Sequence, residues 1–283
     1  MSDIEIADFT EIFESKNVNQ IKTATDLLIK IHRGIYSRTF PLSNEQEQVE
    51  YWLENLSSGV EKGRHIYVAF GYNLFSDNPD VVGFAVGGIA GKSSCGLMEY
   101  LVRDKKYSKV LSGKQICDYV ERRLQEINLR VNNETLKAIL WEANNPEKIR
   151  YDENNPDPMV DCMSPKKRCD LIENRYGGKR IGIDYVQGPL SPCENEEDIK
   201  NGMCETLILY LYNADNYHNF NAKDLYNYIC CFNEDVNGVY NPYDFKHCGM
   251  DKMMRQLQMM TDNDIPLLLE QQTEKQIKML KEV

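Results

Sequence analysis

The chain has 283 residues, of which 42% are hydrophobic and 27% are charged, and 33 Lys and Arg against 44 Asp and Glu leave a net charge of −11. This composition fits a folded protein with one large core or two modest ones, and it excludes a long disordered chain. Proteins bind a nucleic-acid backbone mainly through Lys and Arg. The excess of negative charge therefore argues against nucleic acid as a partner.

No run of about 18 apolar residues, the minimum for a membrane-spanning helix, occurs in the sequence. The first residues, MSDIEIADFTEIF, lack the basic and apolar order of a secretory signal, so we expect a cytoplasmic protein without a membrane partner. The nine cysteines form no tight framework, and Cys230 and Cys231 are adjacent, which predicts reduced thiols. None forms a Cys-x-x-Cys knuckle, so no metal site is expected.

The N-terminal part predicts a short strand and two helices. The strand covers 4–9, and apolar residues that recur at helical spacing over 21–35 predict the first helix. Gly34 and Pro41 are expected to end this helix, and the second helix is expected over 45–56. The loop between the two helices would carry Tyr36, Arg38 and Phe40.

Three segments rich in β-branched and aromatic residues follow, over 65–73, 81–90 and 95–102, and they predict an antiparallel meander. The second turn contains Gly91-Lys92-Ser93, which reproduces the end of a phosphate-binding loop. However, Val86 occupies the place of that motif's first glycine, and a strand follows where the motif requires a helix. We therefore predict a hairpin turn here.

The next segments alternate between helix and strand. A helix is predicted with an apolar face over 116–127, followed by a central strand over 135–143 that is apolar almost throughout. A helix over 166–176 would end at Gly177-Gly178, and strands are predicted over 180–187 and 206–212.

From Ala222 onward the sequence predicts helices only, in the segments DLYNYICCF, MDKMMRQLQMM and IPLLLEQQTEKQIKML. One helix face carries Met250, Met253, Met254 and Leu257. Such a face suits either a packed helix or an adaptable binding surface, and the spacing favours packing.

A basic segment lies between the meander and the helix that follows it. RDKKYSKVLSGK, over 103–114, has five basic residues and one acidic residue inside an acidic chain. Backbone N–H groups at the start of a helix lack internal partners, and the helix dipole favours an anion there. The segment therefore predicts an anion-binding site, with a solvated loop as the alternative.

A strand, the basic loop and a helix are followed by a buried strand that leads into WEANNPEK, then by a helix and two final strands. This succession resembles the GNAT superfamily of acetyl-CoA-dependent N-acetyltransferases. The segments IYSRTFPLSNEQEQVEYWLENL and RYGGKRIGIDYVQGPLSP resemble a bacterial subgroup that carries a helical extension. The resemblance implies an α/β (α+β) fold with a mixed, mostly antiparallel sheet flanked by helices. The acetyltransferase domain would cover 1–215, and C-terminal helices over 216–283 would pack on it.

Acetyl-CoA is the cofactor that the resemblance implies. The family's pyrophosphate-binding loop falls on Ser108, Leu111 and Gly113, and only the glycine agrees with the family pattern. The backbone of Leu101 and Val102 is implied to contact the pantetheine arm. Asn145 matches a polar position that contacts the cofactor, although it is equally an ordinary turn residue. The residues implied to bind pyrophosphate are Lys109, Leu111, Ser112, Gly113 and Lys114.

Acetyl transfer to an amine needs a neutral amine, a polarised thioester carbonyl and a proton for the departing thiolate. The resemblance and the strand alternation point to Glu99 as the base, with a solvent-facing or ion-paired carboxylate as the alternative. Tyr176 is the candidate acid, although it is shifted from the family's position, and the absence of any side-chain acid stays open. No cysteine needs a catalytic role.

The expected acceptor is the primary amine of a small molecule or peptide, and the acidic surface would attract its positive charge. Two other readings remain open. One is an inactive module of the same fold that binds acyl-CoA or a protein partner, which Ser108 and Leu111 favour. The other is an interaction protein whose helical tail packs against another subunit, compatible with a homodimer.

Overall fold

The structure is a computed structural model. It describes residues 3–40, 46–148, 164–188, 197, 202–217, 219–237 and 248–260.

Seven strands form one sheet. Their bounds are β1 Glu5–Asp8, β2 His65–Tyr72, β3 Asp80–Ile89, β4 Cys95–Arg103, β5 Ala138–Asn144, β6 Lys179–Arg180 and β7 Leu207–Leu211. Their order is β1-β2-β3-β4-β5-β7-β6. The pairs β1–β2, β2–β3, β5–β7 and β6–β7 are antiparallel. The mostly antiparallel sheet predicted from the sequence is confirmed.

Helices precede and follow the strands. Their bounds are α1 Phe9–Glu14, α2 Val18–Ile31, α3 Ser37–Thr39, α4 Val49–Ser58, α5 Val60–Gly63, α6 Gly113–Asn132, α7 Pro165–Arg175, α8 Ala222–Asn237 and α9 Cys248–Met259. The succession β4, loop, α6, β5, α7 and two final strands, on which the resemblance depends, is present. None of the described helices combines the length and apolarity needed to cross a bilayer.

The prediction of a loop between the first two helices is wrong, because most of this segment is helical. After α2 the chain continues through a π-helical turn, His32–Tyr36, directly into α3. Gly34 is therefore helical, as are Tyr36 and Arg38, and the helix ends only at Phe40. One glycine costs a helix about 1 kcal/mol. Burial of Ile35 and Tyr36 in the core offsets that cost. Pro41 lies outside the described residues.

The strand predicted over 180–187 is also mostly wrong. Only Arg180, with Lys179 before it, pairs in the sheet, and a single bridge joins Gln187 to Cys204. The amides of Ile183 and Tyr185 donate to carbonyl oxygens two residues earlier in their own segment. These amides are consequently not available to a neighbouring strand.

The hairpin predicted at Gly91-Lys92-Ser93 is confirmed. Gly91 has a φ of +49° and Ser94 a φ of +57°. The amide of Ala90 donates to the carbonyl oxygen of Cys95 across the turn. A left-handed conformation is one that glycine adopts without a steric penalty, so Gly91 suits the turn rather than a phosphate.

The chain divides into two compact units. The first contains the described residues of 1–89, 98–135 and 152–164, and the second those of 90–97, 136–151 and 165–283. In the first unit, buried side chains of α2, α4, β2 and β3 form one core, with Trp52 and Tyr36 completely buried. The division at residue 215 proposed from the sequence stays a prediction.

Packing of the methionine face in the second unit is confirmed. Met250, Met253, Met254 and Leu257 are each at most 2% exposed. The Sδ of Met253 accepts a hydrogen bond from the amide of Val186 at 3.4 Å. The predicted helix IPLLLEQQTEKQIKML lies outside the described residues. The cysteines whose thiols are described, Cys95, Cys117, Cys169, Cys204, Cys230 and Cys231, are free.

Candidate functional site

Glu99 lies on β4, beside a glycine of the neighbouring strand. His65 on β2 is in register with Gly88 on β3, and Glu99 Oε1 is 3.1 Å from His65 Nε2. The two side chains meet over Gly88, where a Cβ atom would lie 2.5 Å from Glu99 Oε1 and 3.0 Å from His65 Nε2. A glycine at this position is what allows the ion pair to form across three strands.

The imidazole of His65 is held at both nitrogens. Nε2 faces the carboxylate of Glu99, and Nδ1 faces the carbonyl oxygen of Gly63. Burial alone would lower the pKa of His65, but the charge and hydrogen bond of Glu99, helped by the charge of Glu47, raise it to about 9. His65 is therefore an imidazolium at neutral pH.

A second carboxylate, Glu47, lies just before α4. Its Oε2 accepts a hydrogen bond of 2.6 Å from Trp52 Nε1. Burial and the negative charge of Glu99 raise the pKa of Glu47 to about 7, although the Trp52 hydrogen bond and the charge of His65 act in the opposite direction. We call Glu47, His65 and Glu99 the carboxylate–imidazole cluster.

Aromatic rings pack beside this cluster. The ring of Tyr36 lies 4.7 Å from that of Trp52 and 5.1 Å from that of Tyr100, centroid to centroid. Burial raises the pKa of Tyr36 to about 12. Burial and nearby carboxylates also raise the pKa values of Tyr67 and Tyr100. These phenols stay neutral over the physiological pH range and donate or accept hydrogen bonds without changing charge.

The carboxylate–imidazole cluster combines a fixed ion pair with a carboxyl group whose pKa lies near neutrality. A base is most effective when its pKa is close to the working pH, so this combination suits removal of a proton from an amine. The sequence identified Glu99 but neither Glu47 nor His65. His65 begins a predicted strand and Glu47 lies in a polar segment, and neither position has a local pattern that marks it as functional.

Replacing His65 by Gln should remove a pH dependence of stability. With a folded pKa of about 9 and an unfolded pKa of about 6.5, His65 adds on the order of 3 kcal/mol to the free energy of unfolding. This contribution is fully present below pH 6.5 and is lost as the pH rises through 9. Urea unfolding between pH 6 and 10 measures this. The wild type should lose stability over that range more steeply than the variant, and parallel curves would show that the imidazolium is not formed.

The basic segment joins β4 to α6. Ser112 caps α6, since its side chain accepts from the amide of Gln115 at 3.2 Å while the Gln115 side chain accepts from the amide of Ser112 at 2.9 Å. The amides of Val110 and Leu111 donate to the carbonyl oxygen of Tyr107. The loop therefore binds several of its own backbone N–H groups.

Two groups of the segment, the Lys109 ammonium and the Gly113 amide, have no partner among the described residues. Lys109 is exposed and forms no ion pair with any described residue. Gly113 is the first residue of α6 and is buried, and within the described part of the chain its amide has no acceptor. Lys114 is paired with Asp118. Leu111 is only 5% exposed, so its side chain belongs to the core and does not cover the loop surface.

Leu101 and Val102 lie in β4, as predicted. Val102 is buried and Leu101 half-buried. Both lie shortly after Glu99 in the same strand, so the strand leads from the carboxylate–imidazole cluster to the basic segment. This arrangement is contained in the first unit.

Asn145 and Tyr176 lie in the second unit. The amide of Asn145 donates to the carbonyl oxygen of Thr206 at 2.7 Å, which extends the pairing of β5 with β7. Its Oδ1 accepts from the amide of Glu147 at 2.9 Å, a contact typical of a turn residue. Tyr176 is buried, and its ring stacks on Trp141 with centroids 5.5 Å apart. Their roles toward a cofactor or substrate stay predictions.

No protein-family model matches the sequence, and no curated protein matches it significantly. Solved structures of acetyltransferases are similar in fold. An aminoglycoside 6'-N-acetyltransferase complexed with coenzyme A is 14% identical over 74% of this chain and 95% of its own, with a TM-score of 0.40. The ribosomal-protein-S18-alanine N-acetyltransferase from Escherichia coli is 10% identical over 74% and 92%, with a TM-score of 0.38. A GNAT-family acetyltransferase from Staphylococcus aureus is 13% identical over 74% and 99%, with a TM-score of 0.39. Similarity at this level concerns the fold and not the activity.

Proposed function

We propose that the protein is an N-acetyltransferase that transfers the acetyl group of acetyl-CoA to the primary amine of a small molecule or peptide by direct attack. One observation carries the proposal. A single strand, β4, places the ion-paired carboxylate of Glu99 upstream of a basic loop that ends at the capped N-terminus of α6. We place the protein in the cytoplasm, and a homodimer is compatible with the proposal.

The residues of the basic segment fit the diphosphate of coenzyme A. Lys109 offers a cation without a described partner, and Gly113 offers an amide at a helix start, where the dipole favours negative charge. The inward position of Leu111 leaves the loop surface open. When bound, acetyl-CoA supplies the activated thioester. The chain's own part is to hold the diphosphate and to receive the proton that the acceptor loses.

The second candidate is a module of the same fold that binds acyl-CoA or a protein without turnover. Hydrogen bonds within the start of α6 and the turn before it favour this second candidate. The amides of Val110, Leu111, Ser112 and Gln115 already have acceptors within the chain. Fewer backbone donors are then left for a pyrophosphate.

Acetyl-CoA should stabilise the protein, and reversing the charge of Lys109 should weaken that effect. At about 100 times its dissociation constant the ligand should add roughly 2.7 kcal/mol to the free energy of unfolding, seen as a higher Tm. Lys109→Glu should need a higher ligand concentration for the same shift. Lys22→Glu, which changes another exposed lysine of the first unit, serves as the matched control.

Mass spectrometry of acetylated amines, run beside the Tm measurement, separates the two candidates. Stabilisation together with acetylated product supports the enzyme. Stabilisation without product from a panel of amines supports the binding module. If millimolar acetyl-CoA leaves the Tm unchanged, both fail. If Lys109→Glu and Lys22→Glu respond alike to acetyl-CoA, the diphosphate does not bind at the basic segment.

A further inference from the structure

We propose that Glu47 takes the proton that the acceptor ammonium must lose, and that His65 is a positioning residue that holds the carboxylate of Glu99 at the same site. This inference rests on the proposed function. The geometry of the three side chains carries it, beginning with the commitment of Glu99 to another partner.

Glu99 is paired with an imidazole through one of its carboxylate oxygens. Its Oε1 is 3.1 Å from His65 Nε2, and the imidazole is anchored at its other nitrogen by the carbonyl oxygen of Gly63. Both imidazole nitrogens face acceptors, so both carry hydrogens and the ring is positively charged. Oε1 of Glu99 is therefore committed to a charge-assisted hydrogen bond within the protein.

Glu47 is held in place by neighbouring aromatic side chains. Its amide donates to the hydroxyl of Tyr36 at 3.0 Å, its carbonyl oxygen accepts from His32 Nε2 at 2.8 Å, and its Oε2 accepts from Trp52. The main chain and one carboxylate oxygen are thereby fixed. Among the described residues no donor contacts Oε1. Oε1 of Glu47 is therefore not committed to another described group.

Several titratable groups surround Glu47. They face it from three parts of the first unit: His32 and Tyr36 after α2, His65 and Tyr67 on β2, and Glu99 and Tyr100 on β4. The tyrosines stay neutral and His65 stays charged near neutral pH, because the pKa of each is raised. The pKa of Glu47, raised to about 7 by burial and by the charge of Glu99, places its own change of charge in that range.

In the proposed step the acceptor loses one proton to Glu47 before it attacks the thioester. The acceptor arrives as an ammonium ion and transfers one proton to Oε1 of Glu47, which becomes a neutral carboxylic acid. The freed nitrogen lone pair attacks the thioester carbonyl carbon, the C–N bond forms, and the C–S bond breaks with its electron pair on sulfur. The second nitrogen proton neutralises the thiolate. Glu47 then releases its proton to water.

Four variants test the assignment through the pH profile of kcat/KM. In the wild type kcat/KM should rise with pH up to about 7, because Glu47 must be unprotonated to accept a proton. Glu47→Gln should lower kcat by about 10²-fold or more and abolish that rise, whereas Glu47→Asp should restore part of both. His65→Gln should move the midpoint upward, because the positive charge that lowers the pKa of Glu47 is lost. Glu50→Gln, an exposed neighbour on α4, should behave as the wild type.

A second readout does not need turnover. Trp52 donates to Glu47, so its fluorescence should change with pH around 7 in the wild type and not in Glu47→Gln. The inference is overturned if Glu47→Gln keeps the wild-type pH profile, whether or not Glu99→Gln loses it, or if the fluorescence change around pH 7 keeps its full size without Glu47. A wild type that titrates at Trp52 yet acetylates no amine refutes the proposed function instead.

Discussion

Replacing Glu99 by Gln is expected to lower kcat/KM for the amine by about 10²-fold, mainly through a higher KM. The carboxylate is the fixed negative charge of the site, and a hydrogen bond to a charged group contributes roughly 1.5–3 kcal/mol. The variant also leaves His65 without the charge that holds its pKa near 9, so the imidazole should become neutral in the variant at pH 8. Steady-state kinetics over a range of amine concentrations separate KM from kcat.

Glu54→Gln is the matched control for this prediction, because Glu54 is an exposed carboxylate of α4 that forms no described ion pair. Its kinetics should equal those of the wild type. Unfolding of Glu99→Gln at pH 6 and pH 8 shows whether the protein remains folded. A folded Glu99→Gln variant with an unchanged KM would mean that the acceptor does not approach this carboxylate.

The sequence predicts the parts of the fold that depend on local pattern. The three strands of the meander, the capped helix α6 and the buried strand β5 each have enough β-branched, periodic or apolar residues to be identified. The run through Gly34 has a local signal for a break, and tertiary burial of Tyr36 overrides it. The segment after Arg180 has a strand-like composition, but its amides donate to nearby carbonyl oxygens of the same segment.

The residues of the candidate site likewise differ in whether the sequence alone can identify them. Glu99 can be found from the sequence because it follows from strand alternation and from the resemblance to a known family. Its partner His65 cannot, since the contact depends on the register that brings Gly88 between them. Glu47 has no periodic neighbours, and its raised pKa arises from burial and from the charge of Glu99, which only the folded chain brings near.

Trp52 links the stability of the first unit to the chemistry of Glu47. Its side chain is completely buried and packs against Tyr36 and Phe84. Trp52→Ala should therefore cost about 3–5 kcal/mol of unfolding free energy, measured by urea denaturation, because a large cavity is left. A smaller loss would mean that the surrounding rings collapse into the space.

Trp52→Phe separates the two roles, because it keeps most of the buried ring and removes the Nε1 hydrogen that Glu47 Oε2 accepts. That hydrogen bond lowers the pKa of Glu47, so its loss should raise the pKa above about 7 and move the rise of kcat/KM to higher pH. Trp141→Phe, which changes the stacked tryptophan of the second unit, should leave the midpoint unchanged. If Trp52→Phe keeps the wild-type midpoint while Glu47→Gln abolishes the rise, the indole hydrogen bond does not set the basicity of Glu47, and burial with the charge of Glu99 must set it alone.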